Sequence, residues 1–166
     1  MSFPCSPAKA GIQASKPDGL VLSQEHKAVR FAGYAAVFDR VDRGGDVVRK
    51  GAFGRLPRDV PLLWQHEAGR VVGRVEYLRE DKRGLRVIGR VLDKRAAELV
   101  GAGSVKGLSF GYRVREARGT GPRELTRLEL VEVSLVSFPM QPLARVHAVE
   151  ITGRTAKLGR CEPQSP

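Results

Sequence analysis

Apolar and polar residues alternate through the middle of the chain, and this alternation predicts a protein built mainly from β-strands. Apolar runs with strand character cover residues 28–38, 60–66, 70–79, 84–92, 107–116, 124–137 and 143–151. Strands place successive side chains on opposite faces of a sheet. Short runs of this kind, separated by Gly- and Pro-containing links, are typical of antiparallel barrels and sandwiches. We therefore predict about six to eight strands, mostly antiparallel.

Two segments have helical rather than strand character. Residues 94–103, KRAAELVGAG, follow Asp93, a residue type that favours the N-cap, and contain Gly103 near their end. A shorter segment, 50–56, is predicted to form one helical turn before a proline. The predicted fold class is thus mainly β with flanking helices (α+β), an antiparallel barrel with one clear helix.

The alternation slips by one residue in the last long apolar run. Positions up to Leu130 share one parity, whereas Val131 and Val133 take the other. Such a slip predicts a β-bulge near 130–131. Beyond it, we expect Glu132 to point away from the face of Val131 and Val133.

The two ends of the chain lack this patterning. We predict a disordered arm over 1–27, one folded domain over 28–151 and a disordered tail over 152–166. The N-terminal residues do not have the pattern of a secretory signal, and no apolar run reaches the ~20 residues of a membrane span. Cys5 and Cys161 have no CxxC spacing, so we predict a reducing compartment, no metal site and no cofactor.

The chain is basic, with 29 Lys and Arg against 18 Asp and Glu and a net charge of +11. A basic domain favours acidic partners, either nucleic acids or acidic protein segments. Here the arginines are scattered singly between apolar residues, with no pattern of a nucleic-acid-binding motif. We therefore predict no specific nucleic-acid partner.

Candidate chemistry centres on the segment GLSFG, in which Ser109 lies between Gly107 and Gly111 on one parity of a strand. Glycine in a strand often marks the close approach of a ligand or another backbone. We interpret the two glycines as clearance for a substrate backbone beside Ser109. A serine becomes a nucleophile when a neighbouring base takes its proton. The patterned region offers His66 and His147 as that base.

The same segment also fits the G-x-S-x-G pattern of α/β-hydrolases, with Glu132 and His147 following in the expected order. In that fold the serine lies on a sharp turn from a strand into a helix. Here a predicted helix precedes Ser109 and a strand-like run follows it. The context therefore disfavours this alternative.

Six segments of the chain, in order, resemble a known protease family. They are GYAAVFDRVDRGGDVVRKGAF (33–53), PLLWQHE (61–67), VVGRV (71–75), RGLRVIGRV (83–91), VKGLSFGYRV (105–114) and LVEVSLVSFPMQPLARV (130–146). Together they resemble the HK97-type prohead proteases of tailed phages, prophages and gene transfer agents. That family is similar to the herpesvirus assemblins, which are serine proteases with a β-barrel and flanking helices.

The resemblance implies a role for three residues. The histidine of the LLWQH block falls on His66, the nucleophile of the GLSxGY block on Ser109, and an acidic third member on Glu132. Herpesvirus relatives use a second histidine in the third position and consecutive arginines for the oxyanion. This chain has no such arginine pair, so Arg145 and the backbone N–H groups of 138–143 become the oxyanion candidates, with Gly107 and Gly111 as secondary candidates.

The function that the resemblance implies is a serine endopeptidase of capsid maturation. It would cleave the scaffolding segment of the major capsid protein, and its own chain, inside the assembling prohead in the bacterial cytoplasm. The herpesvirus analogy adds a homodimer. Two other readings remain open: an inactive assembly module that binds the scaffold, and a basic barrel that binds nucleic acid.

Overall fold

The computed structural model of this chain describes residues 28–152, which form one sheet of eight strands and one helix. The elements are β1 (Ala28–Val37), β2 (Asp46–Val48), β3 (Pro61–Trp64), β4 (Val71–Glu80), β5 (Gly84–Val91), α1 (Lys94–Gly101), β6 (Gly107–Arg118), β7 (Arg123–Val136) and β8 (Val146–Thr152). This confirms the mainly β prediction with one helix. The predicted arm at 1–27 and the tail beyond Thr152 lie outside the described residues.

The strands follow the order β2-β7-β3-β4-β5-β1-β8, and β6 pairs with β7. Most pairs are antiparallel, but β2 and β3 run parallel to β7 at its opposite ends. The sheet curls into a half-barrel, and an isolated bridge between Gly107 and Arg145 links the start of β6 to the lead-in of β8. Strand β7 therefore lies between β6 on one edge and the end of β3 on the other.

Large apolar side chains fill the inside of the curled sheet. The fully buried ones include Phe31, Leu62, Leu85, Leu108, Leu125 and Leu135. Helix α1 covers one part of this core with Ala96, Ala97 and Val100. Its first turn is capped by Asp93, whose side chain accepts a hydrogen bond from Ala96 N at 2.8 Å. The predicted helix is confirmed, although it ends at Gly101.

The predicted helical turn at 50–56 is wrong. The chain there makes tight turns instead, with hydrogen bonds from Ala52 N to Arg49 O and from Gly54 N to Gly51 O. Gly51 has φ +85° and Gly54 has φ +52°, a left-handed conformation that a right-handed helix does not contain.

The predicted bulge in β7 is confirmed, because Gly111 pairs with Glu132 while Tyr112 pairs with Leu130, which leaves Val131 unopposed. The side chain of Val131 is 43% exposed, so it does not join Val133 in the core as expected. A bulge leaves its extra residue out of the ladder and turns it locally. Beyond the bulge, β7 is buried on both faces.

Strand β3 is shorter than predicted and ends at Trp64. Gln65 and His66 follow it with φ of +50° and +63°, in a left-handed turn. His66 therefore reaches its position through this turn and not through the alternation of the strand. Within 28–152, the structure contains no helix with the length and apolar character needed to span a membrane.

Candidate active site

The turn after β3 holds His66 against β7. Parallel pairing sets Leu63 opposite Ser134, which brings the end of β3 alongside the last residues of β7. Gln65 N donates to Leu135 O at 3.0 Å, and His66 N donates to Ser134 Oγ at 3.2 Å. The backbone of the turn is thus fixed at two consecutive residues of β7.

The imidazole of His66 forms a hydrogen bond with the carboxylate of Glu132. The distance from Nδ1 to Oε1 is 2.7 Å, and Glu132 is buried while 43% of the His66 side chain is exposed. An ionised carboxylate only accepts hydrogen bonds, so Nδ1 carries the proton and Nε2 is left as an acceptor. This is the tautomer that a general base requires.

Both oxygens of the Glu132 carboxylate are engaged. Ser134 Oγ donates to Oε2 at 2.6 Å, while Oε1 binds His66. The carboxylate lies over Gly111, where an added Cβ would come within 2.5 Å of Oε1. The space beside this glycine is therefore filled by Glu132, which gives Gly111 a role other than the clearance for substrate inferred from the sequence.

Ser109 lies on the strand next to this pair. Its register partner on β7 is Ser134, and directly opposed residues have Cβ atoms about 4.5–5.5 Å apart. Ser109 Oγ has no hydrogen-bond partner within 28–152, His66 included. Ser109 is buried, at 7% exposure, although its hydroxyl is not one of the completely buried polar groups. Catalytic hydrogen bonds often tighten only when substrate binds.

A cavity of about 90 Å³ opens beside Ser109 on the side of β1. Its apolar wall includes Ala35, Ala36 and Leu108, and its polar wall includes Asp46, Tyr112 and Gln141. Concave sites with apolar walls and a few placed polar groups are typical of ligand binding. Ser109 is thus flanked by the His66–Glu132 pair and by a cavity that suits a side chain.

The polar end of this cavity is a cluster around Asp46. Arg123 binds both carboxylate oxygens, at 2.8 Å through Nε and 2.6 Å through Nη2, and Tyr112 OH donates to Oδ2 at 3.1 Å. The hydrogen bonds from Arg123 lower the pKa of Asp46, and Tyr112 adds to the effect. Burial, together with the charge of Asp46, raises the pKa of Tyr112 to about 12.

The remaining predicted residues lie around the site without joining the pair. A Cβ on Gly107 would come within 2.8 Å of Pro139 Cδ and closer still to the carbonyl of Val136, so this position needs glycine for packing. The guanidinium of Arg145 donates through Nε to Pro142 O at 2.6 Å. An oxyanion role for Gly107, Gly111 or Arg145 stays a prediction.

The α/β-hydrolase alternative does not fit the structure. Ser109 lies within strand β6 and not at a turn into a helix. His147, the histidine that alternative requires, contacts Tyr34 edge to face at 5.9 Å, and burial lowers its pKa. The carboxylate of Glu132 binds His66 instead.

Sequence reasoning missed Ser134 and the cluster of Asp46, Arg123 and Tyr112. In the sequence, Ser134 is a serine inside an apolar run. An outward-facing serine on a half-exposed strand gives the same pattern. Nothing in the sequence pairs Asp46 with Arg123, because they meet only through the parallel pairing of β2 with β7.

Ser109 on β6, Glu132 on β7 and His66 in the turn after β3 lie close together in one half-barrel, an arrangement typical of the serine-protease class. Residues 19–157 match the model of the caudovirus prohead serine protease family, and the chain belongs to that family. The prohead protease of Enterobacteria phage HK97 is 32% identical over 134 residues, which cover 72% of this chain and 60% of that protein. The predicted resemblance is confirmed.

Two further similarities concern a capsid protein and a fold. The capsid polyprotein of Pseudomonas phage PAJU2 is 30% identical over 128 residues, which cover 68% of this chain and 19% of the polyprotein. The chain thus spans less than two thirds of each curated relative. The crystal structure of KSHV protease with a hexapeptide phosphonate inhibitor has a TM-score of 0.52 at 12% identity, over 76% of this chain and 66% of that one. This confirms the herpesvirus-protease type of fold.

Proposed function

We propose that this chain is a serine endopeptidase in which Ser109 is the nucleophile, His66 the general base and Glu132 the residue that orients the imidazole. The observation that carries the proposal is the 2.7 Å hydrogen bond between His66 Nδ1 and the buried carboxylate of Glu132. It leaves Nε2 as the acceptor, next to the strand that carries Ser109, whose hydroxyl has no hydrogen-bond partner among residues 28–152.

The reaction would follow the usual course of a serine protease. His66 Nε2 takes the proton of Ser109 Oγ as that oxygen attacks the scissile carbonyl, and Glu132 stabilises the imidazolium that forms. The same proton then passes to the leaving amine, and water attacks the acyl-enzyme with His66 again as base. Backbone N–H groups of 138–143, or Arg145, are the candidates to bind the oxyanion.

The proposed substrate is the scaffolding segment of the major capsid protein, together with the chain itself, inside the assembling prohead in the bacterial cytoplasm. Membership of the prohead protease family supports this, as does the matching stretch in a capsid polyprotein. A net charge of +11 favours an acidic segment as partner. We propose residues 28–151 as the protease domain; the homodimer stays a prediction from analogy.

The test is co-expression of the Ser109→Ala variant with the cognate capsid protein. We expect the capsid protein to remain unprocessed, because no other group takes over the attack on the peptide bond. Processing at the normal rate would overturn the assignment of the nucleophile. If the wild-type chain also leaves the capsid protein intact but binds it, the chain is the inactive assembly module.

A further inference from the structure

A serine hydroxyl is completely buried at position 134, in the most apolar part of β7. Ser134 and its neighbours Val133 and Leu135 are all 0% exposed. Burying a hydroxyl costs free energy unless it is hydrogen-bonded. Ser134 uses the group twice, since it donates to Glu132 Oε2 at 2.6 Å and accepts from His66 N at 3.2 Å.

Together with the bond between His66 and Glu132, these two bonds close a ring of three residues. The backbone N–H of His66 donates to Ser134, Ser134 donates to Glu132, and Glu132 accepts from the imidazole of His66. The direction of the ring is fixed, because the N–H only donates and the carboxylate only accepts. One hydroxyl therefore ties the backbone of the proposed base to the carboxylate that orients its ring.

The backbone of His66 needs such a restraint. Gln65 and His66 both have left-handed φ angles, which are strained for residues other than glycine and persist only where the surroundings hold them. Gln65 is held by Leu135 O and, through its side chain, by Ser137 Oγ at 2.8 Å. Ser134 supplies the bond that holds His66 itself.

The register of the sheet sets Ser134 at the level of both partners in the proposed reaction. It lies opposite Leu63 on β3, three residues before His66, and opposite Ser109 on β6. A change at this residue therefore acts where the turn that carries the base meets the strand that carries the nucleophile.

We propose that Ser134 is a positioning residue, which fixes the angle of the His66 imidazole toward Ser109 by holding both His66 and Glu132. This inference rests on the proposed function. Ser134 touches no reacting atom in this scheme; it acts through His66 and Glu132. Because a displacement of about 1 Å in a catalytic group costs up to ~100-fold in rate, loss of the hydroxyl should appear in kcat rather than in KM.

The experiment compares Ser134→Ala with Ser137→Ala in full-length protein that cleaves its capsid substrate. Ser137 holds the neighbouring Gln65 of the same turn but makes no bond to Glu132, so Ser137→Ala is the matched control. We expect Ser134→Ala to lower kcat by roughly 10- to 100-fold with little change in KM, and Ser137→Ala to remain near wild type. If Ser134→Ala does not fold, Ser134→Cys replaces it, because the thiol fills the site with a slightly larger group that is a much weaker donor.

A spectroscopic signature separates positioning from general destabilisation. In protein with ¹⁵N-labelled histidine, the Nδ1 proton of His66 bound to a carboxylate gives a resolved downfield resonance. We expect it to shift and to exchange faster with water in Ser134→Ala, to persist in Ser137→Ala and to vanish in Glu132→Gln.

An unchanged resonance with normal kcat in Ser134→Ala would overturn the positioning role, as would an equal fall of kcat in Ser137→Ala. Ser109→Ala, assayed in parallel, separates this failure from that of the proposed function. If Ser109→Ala is inactive while Ser134→Ala is fully active, only the positioning role of Ser134 is refuted. Active Ser109→Ala removes both proposals.

Discussion

Two carboxylate side chains, Glu132 and Asp46, are buried to nearly the same extent, at 7% and 8% exposure, and each contacts a residue of β6. Their partners differ. Glu132 binds a half-exposed histidine and a serine hydroxyl. Asp46 accepts hydrogen bonds from Nε and Nη2 of Arg123 and from the hydroxyl of Tyr112.

The difference lies in what the partner can do with a proton. A guanidinium keeps its charge at every ordinary pH, so Asp46 and Arg123 form a fixed ion pair that shapes the cavity wall. An imidazole gains and loses a proton near neutral pH, so Glu132 can stabilise a charge that appears during a reaction. Burial alone therefore does not separate the proposed catalytic carboxylate, Glu132, from the structural one, Asp46; the hydrogen-bond partner of each does.

Neutralising Glu132 is the strongest test of the difference between the two carboxylates. Glu132→Gln keeps the shape of the side chain. Its amide NH2 would select the His66 tautomer protonated at Nε2, and its amide oxygen would carry no charge to stabilise the imidazolium. We expect kcat to fall by about ten-thousand-fold, as in other triads that lose their acid, while the melting temperature changes little. Asp46→Asn is the matched control, and its kcat should stay within tenfold of wild type. Equal losses in both variants would contradict the division of roles.

Adding one methyl group at Gly111 tests the same carboxylate without removing it. A Cβ there would come within 2.5 Å of Glu132 Oε1 and 2.9 Å of its Cγ, so the side chain must move. We expect Gly111→Ala to lose up to ~100-fold in kcat with its fold retained. At Gly107 the close neighbours are the Val136 carbonyl and Pro139 Cδ, and Gly107→Ala should instead lower the melting temperature. The reverse pattern in the two variants would refute this reading of the glycines.

For the second carboxylate, Asp46, we expect the Asp46→Asn substitution to lower the stability of the fold. It removes the charge that Arg123 and Tyr112 share, in a position with 11% side-chain exposure. We expect a loss of about 1–3 kcal/mol in the free energy of unfolding, measured by urea denaturation. Glu129→Gln is a suitable exposed control, since Glu129 binds Arg113 at the surface. A variant as stable as wild type would show that the pair contributes no net stability.

At acid pH, the free energy of unfolding should depend on the protonation of Asp46. Arg123 lowers the pKa of Asp46 in the folded protein, so this group stabilises the fold above its unfolded pKa of about 3.9. That contribution is lost as the pH falls through the lower pKa of the folded state. Urea midpoints measured below about pH 4 should therefore drop more steeply in wild type than in Asp46→Asn; parallel curves would contradict it.

The smallest effect is expected at alkaline pH from Tyr112. Its pKa is raised to about 12, above an unfolded value of about 10, so its contribution is complete below about pH 10 and is lost as the pH rises through about 12. An ultraviolet titration of wild type against Tyr112→Phe should show one late-ionising phenol that the variant lacks. Ionisation of that phenol near pH 10 would contradict its burial beside Asp46.

Much of the fold and part of the site could be predicted from the sequence. Alternation located the strands, and the parity slip located the bulge at Val131, because both are local properties of the chain. The turn that carries His66 was missed, since its left-handed residues are not glycines and are held by β7. Ser134 was missed for a related reason: Glu132 lies two residues away on the same strand, but His66 comes from the turn after β3, and only the register of β3 with β7 brings it to Ser134.

The proposed activation of Ser109 by the pair of His66 and Glu132 can be tested by covalent labelling. The measurement is the rate at which a fluorophosphonate probe modifies the protein, with the adduct located by peptide mass spectrometry. We expect one adduct, on Ser109, whose rate of formation falls by orders of magnitude in His66→Ala and in Glu132→Gln but not in Asp46→Asn. Labelling of Ser109 at the wild-type rate in His66→Ala, or an adduct on a different residue, would contradict it.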